Sequence, residues 1–141
     1  MAEYYGRKNY LSVWIGKCPK MDLFNEYINL KYLQEYEEDD ECSRFELGKD
    51  FGIKTYDEDY SLVNYLEEET NDLNVLLYTG APDYVTEHFI NQEGQYLQEK
   101  YNCCVMFYDM DYTGERKEVL NEQFGKFVFL GSLVSDKFDM L

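Results

Sequence analysis

The sequence predicts an α+β fold: a mainly antiparallel sheet with helices packed on one side, in a single domain over residues 1–141. Three observations predict it. Runs of β-branched and aromatic residues at 10–16, 103–108 and 126–134 read as strands. The segments between them carry apolar residues at helical spacing, and no internal repeat or low-complexity linker divides the chain. Hydrophobic residues make up 45% of the 141 positions and aromatics 18%, enough apolar surface to offset the ordering entropy that leaves acidic, apolar-poor chains unfolded.

The first element is a core strand, residues 10–16, ended by Gly16. Cys18, Pro19 and Lys20 break it, and Asp22 is placed to cap a helix whose apolar side is Leu23, Phe24, Tyr27, Ile28 and Leu30. Residues 35–41 are almost wholly acidic and predict an exposed loop. Ser43, Arg44, Phe45 and Glu46 match a capping box, which starts a short helix that stops near Gly52. Residues 53–66 offer two β-like runs around the triplet Asp57, Glu58 and Asp59. Thr70, Asn71 and Asp72 can cap a brief helix through Leu73 and Leu77, broken by Gly80 and Pro82. A second helix is predicted from Asp83 to about Lys100, weakened near Gly94. The run at 103–108 is continuously apolar, and Asp111 to Gly114 supplies a turn, so a hairpin with a return strand at 126–134 is expected, its connection through 115–125 forming a mobile tip.

Four cysteines show no Cys-x-x-Cys spacing, and adjacent Cys103 and Cys104 on one strand must point to opposite faces, which fits reduced packing residues. No metal and no cofactor is assigned. His88 is the single histidine and sits in a helical stretch with no activated nucleophile near it. The glycines lack the spacing of a phosphate loop or a dinucleotide fingerprint. Asp57, Glu58 and Asp59 could serve a carboxylate-dependent hydrolase, but in a chain with 29 acids such clusters arise from composition. Trp14 on a core strand reads as a packing anchor before an interface centre. No catalytic residue is assigned, and the chain reads as a binder, not an enzyme.

Charge is the most unusual bulk property: 13 Lys and Arg against 29 Asp and Glu, a net charge of -16. That field repels nucleic-acid backbones, so no direct nucleic-acid partner is expected, and it attracts basic proteins. With no long apolar run and no basic segment leading into an apolar stretch at the start, a cytoplasmic location without membrane contact is the expectation. The 15 tyrosines, grouped as Tyr56, Tyr60 and Tyr65 and as Tyr108 and Tyr112 beside acids, suit recognition of a basic partner. The candidate partner-binding residues are Tyr56, Asp57, Glu58, Asp59, Tyr60, Glu67, Glu68 and Glu69.

The segments Ser12-Val13-Trp14-Ile15-Gly16, Lys49-Asp50-Phe51-Gly52-Ile53, Tyr56-Asp57-Glu58-Asp59-Tyr60, residues 102–108 and Gly131-Ser132 together resemble the immunity protein 22 family of bacterial polymorphic toxin systems. The resemblance spans nearly the whole chain. It implies an antidote that binds a cognate toxin domain, often a nuclease, and blocks it without chemistry of its own; a monomer or weak homodimer is expected. An acidic adaptor for some other basic protein is the alternative that shares the composition.

Overall fold

A computed structural model describes residues 3–32 and 43–135. The acidic loop expected at 35–41 lies outside the described residues. The chain runs β1 (Gly6–Lys17), α1 (Met21–Ile28), β2 (Lys31–Tyr32), β3 (Ser43–Arg44), α2 (Glu46–Phe51), β4 (Ser61–Asp72), α3 (Leu73–Leu76), α4 (Asp83–Glu93), β5 (Tyr96–Met110), β6 (Glu118–Asn121) and β7 (Gly125–Val134). A five-stranded antiparallel sheet has the order β4-β5-β1-β7-β6, and β2 and β3 form a separate two-stranded ribbon. The α+β, antiparallel expectation holds.

The strand order follows from burial. In β1, residues 11–16 are all buried, and in β5 so are residues 101–108. A strand with no polar face has to lie inside a sheet with both faces covered. β1 therefore pairs with β5 on one side and β7 on the other, with Trp14 opposite Val105 and Phe129. The expected hairpin between 103–108 and 126–134 is corrected on this point: β1 fills the space between those strands, and β7 forms its hairpin with β6.

Helices cover both faces, not one. Alternation along β5 sends Cys103, Val105 and Phe107 to a core shared with Phe24 and Tyr27 of α1 and Leu47 and Phe51 of α2. Cys104, Met106 and Tyr108 join the opposite core with Leu73 and Leu76 of α3 and Val85 and Phe89 of α4. Trp14 is fully buried in the first core, ringed by Phe51, Phe107, Tyr112 and Phe129 at centroid distances of 4.8–5.8 Å. It is a packing anchor.

Three helix boundaries differ from expectation. Asp22 lies in the first turn of α1, where its charge favours the helix dipole, and Lys20 occupies the cap position. α2 starts at Glu46 with Phe45 at its cap and no side-chain cap bond, because Ser43 and Arg44 are drawn into β3; it ends, as expected, at left-handed Gly52. α4 stops at Gly94, and residues 96–100 extend β5 instead of the helix. The capping of α3 holds, with the Asp72 carboxylate accepting from the Asn74 amide. No helix among the described residues is long and apolar enough to cross a membrane.

Gly16 shows how closely the layers approach. A Cβ there would stand 2.4 Å from the Phe127 ring, which itself stacks on Tyr27 at 4.2 Å. Gly16→Ala is expected to lower stability by about 1–3 kcal/mol through overpacking, read as a shift in denaturant midpoint at constant m-value. Burial pushes the Cys103 and Cys104 thiols well above their ordinary range. Mass-mapped alkylation is expected to reach these two cysteines only when the protein unfolds; modification of native protein at the free-thiol rate would contradict a two-sided β5.

Candidate functional site

The candidate residues fall along one edge of the sheet. Tyr56 enters it as a packing residue: its ring stacks on Phe107 at 4.3 Å, meets Phe45 edge-on at 4.8 Å, and its hydroxyl donates to the Ile28 carbonyl. Asp57, Glu58, Asp59 and Tyr60 are exposed. They form a single tight turn in which Asp57 Oδ1 accepts the Asp59 amide at 3.0 Å and the Asp57 carbonyl accepts the Tyr60 amide at 3.0 Å. The turn delivers the chain into β4, which is paired on one side only.

Glu67, Glu68 and Glu69 are exposed at the far end of the same strand. Residues 61–65 pair regularly with residues 107–103 of β5. Between the pairs Tyr65–Cys103 and Thr70–Tyr101, residues 66–69 face Asn102 alone, so the three glutamates lie in a bulge. β5 then compensates: between Thr70–Tyr101 and Asp72–Tyr96, residues 97–100 face Asn71. The nearest members of the two acidic triplets, Asp59 and Glu67, are thus at most about 26 Å apart at about 3.3 Å per residue, one triplet at each end of a regular open strand. The structure places them on one edge without bringing them together.

The bulge has a buried support. Asn102 Nδ2 donates to the Cys18 carbonyl at 2.8 Å, and Asn102 Oδ1 accepts the Cys18 amide at 2.9 Å. The side-chain amide thereby continues the β1–β5 ladder one step past its last backbone pair. Tyr65 adds a hydroxyl bond to the same carbonyl at 3.2 Å, and burial pushes that phenol's pKa up. Tyr65 therefore serves the framework, as do Tyr108 and Tyr112, which are buried. Of the tyrosines grouped from sequence, Tyr60 is the exposed one, while Tyr56 and Tyr65 are half-buried.

Residues that the sequence reading missed complete the edge. Val63 in β4 is 43% exposed, and Val75 and Tyr78 at α3 are exposed, the latter 80%. Asn64 Nδ2 donates to the Val75 and Leu76 carbonyls at 3.1 and 3.2 Å, tying α3 beside the strand. Apolar residues in a strand read as core, so no sequence signal separated Val63 from Val105.

A cleft of about 490 Å3 near the start of this edge is lined by Tyr4, Arg7, Lys8, Asp57 and Asp109, among others. Its two carboxylates hold backbone: Asp57 holds the turn described above, and Asp109 Oδ1 accepts the Asn9 amide at 3.1 Å across a bulge in β1. Asn9 and Asp109 both have left-handed backbone, with φ of 66° and 57°. Among the described residues no group of three His, Cys, Asp or Glu side chains is arranged to hold a metal ion. His88 is exposed on α4 with its ring edge-on to Phe89.

The family model for Immunity protein 22 matches residues 11–136, which hold all of this sheet with its two packed faces and acid-bracketed edge except the first five residues of β1. The chain belongs to the immunity protein 22 family. Membership carries an immunity role, the binding of a cognate toxin. No curated protein and no solved structure matches the chain.

The Asn102 anchor has a measurable cost of removal. Asn102→Ala leaves a buried amide of Cys18 without its acceptor and is expected to destabilise by about 1–3 kcal/mol, visible in thermal or denaturant unfolding.

Proposed function

We propose that this immunity protein neutralises a basic toxin domain, of the nuclease type, by covering its active face with the acidic β4 edge, in the cytoplasm and without chemistry of its own. The family match carries the reading. The charge supports its location: the net charge of -16 repels nucleic acid and attracts a cationic surface, and the residues the edge exposes at its two ends are acidic triplets. Tyr60 supplies aromatic contact area between them and the solvent, while carboxylates at 57–59 and 67–69 pair with Lys and Arg of the partner.

The reading is tested by co-purifying the chain with the toxin domain encoded in the neighbouring reading frame. Loss of toxin activity at excess of this chain is expected, and a toxin that stays active would sink the idea. For the location, Asp59→Lys combined with Glu68→Lys leaves the Asp57 turn intact. Exposed charges are worth up to about 1 kcal/mol each, so the pair is expected to weaken binding about tenfold, largely through association rate, and to flatten its dependence on salt. Unchanged affinity and salt dependence would remove the triplets from the interface.

A further inference from the structure

We infer that the open edge of β4 takes an extended, basic segment of the toxin as a sixth strand, through main-chain hydrogen bonds to residues 61–65. This rests on the immunity reading above and specifies how the partner is held.

The argument begins with the backbone. β4 pairs with β5 through one side, so alternate residues across 61–65 turn their N–H and C=O groups outward, where the described residues offer no backbone partner. Sheet edges are commonly blunted by Lys, Pro or a bulge. β4 contains neither Lys nor Pro from Ser61 to Asp72, and its bulge begins only after Tyr65. A regular five-residue template is left open. Side chains are in place for an added strand to cover: Val63 on one face, with Tyr60 before it, and Val75 and Tyr78 at α3 on the face where Asn64 points.

Charge selects the occupant. A second copy would pair antiparallel about a two-fold axis, and a register centred on Val63 sets residues 57, 58 and 59 of one copy near 69, 68 and 67 of the other. Both sets are acidic, so each end of the ribbon would place like charges together, which opposes pairing. A segment with Lys or Arg at both ends and apolar residues between meets the same edge with opposite charge at each end. The other edge of the sheet does not fit this partner: β6 has four residues, follows the cations Arg116 and Lys117, and its Glu118 lies 3.6 Å from Lys126 of β7.

The test is amide hydrogen exchange on the purified complex with the toxin domain of the neighbouring reading frame. Outward amides within 61–65 are expected to slow at least about tenfold relative to the free chain. A complex that forms and inhibits while these amides exchange unchanged would overturn the inference and leave the immunity role standing. Failure to bind or inhibit would overturn both. Protection of the same amides in the free chain that rises with its concentration would assign the edge to a second copy and overturn the inference as well. A pair of variants supplies an independent readout. Val63→Lys on β4 and Leu120→Lys on β6 both alter exposed side chains, so both should keep the thermal midpoint of the parent. Val63→Lys is expected to weaken toxin binding about tenfold and Leu120→Lys to leave it unchanged; the reverse ordering would place the partner elsewhere.

Discussion

Two strands, β1 and β5, are buried on both faces, and the rest of the molecule follows from covering them. Neither can sit at an edge, so each requires a neighbour on both sides; they pair with each other, and β4 and β7 supply the outer two of the three ladders. Both faces of the pair must also be closed, and the chain closes them in two stages: α1 and α2 from the first half, α3 and α4 from the middle. The close approach at Gly16 and the aromatic ring around Trp14 belong to one layer; the Val85 and Phe89 packing of α4 belongs to the other. Trp14 Nε1 and the Tyr108 hydroxyl are buried in these central strands without a hydrogen-bond partner among the described residues, whereas Ser12 and Asn102 are satisfied. Ser12 Oγ donates to the Met110 carbonyl at 2.8 Å and accepts the Tyr112 amide at 3.0 Å, fixing the exit of β5 as Asn102 fixes the start of its buried run.

The same constraint made most of the fold legible and explains what was misread. The continuous apolar run at 103–108 was recognised as a strand, but a run with no polar alternation also demands cover on both faces, and that implication excludes a one-sided arrangement of helices. The turn residues Asp111 to Gly114 suggest a hairpin, but β1, far upstream, has the stronger claim on β5 and β7 because it too lacks a polar face. Adjacent Cys103 and Cys104 were correctly sent to opposite faces by strand geometry alone. Helix starts were harder. Ser43 and Glu46 have capping-box chemistry, yet the tertiary pairing of β3 with β2 decides where the backbone is extended.

Exposure of the acidic triplets was legible because a carboxylate cluster has no affordable place in a core. Their relation was not. Nothing in the spacing of 57–59 and 67–69 says that the seven residues between Asp59 and Glu67 run straight to Tyr65 and then bulge; that depends on Asn102 occupying a ladder position with its side chain. Tyrosine count was likewise ambiguous, since the phenol serves equally a buried hydrogen bond, as Tyr65 does, and a solvent-facing contact, as Tyr60 does.

In the complex proposed above, charge and edge act on different steps of capture. Exposed carboxylates at two ends of a strand gain little once bound, because water and salt screen them, but they raise the local concentration of a cationic partner and orient it along the strand. Main-chain hydrogen bonds and the contacts of Val63 and Val75 carry no long-range force, yet they are shielded once the new strand lies down, and their loss governs dissociation. The acidic ends would also oppose pairing of two copies through this edge. A strand left open without Lys or Pro is an aggregation hazard in most proteins; under the proposed reading, like charge at matching distances from Val63 would reserve it for a partner of opposite sign.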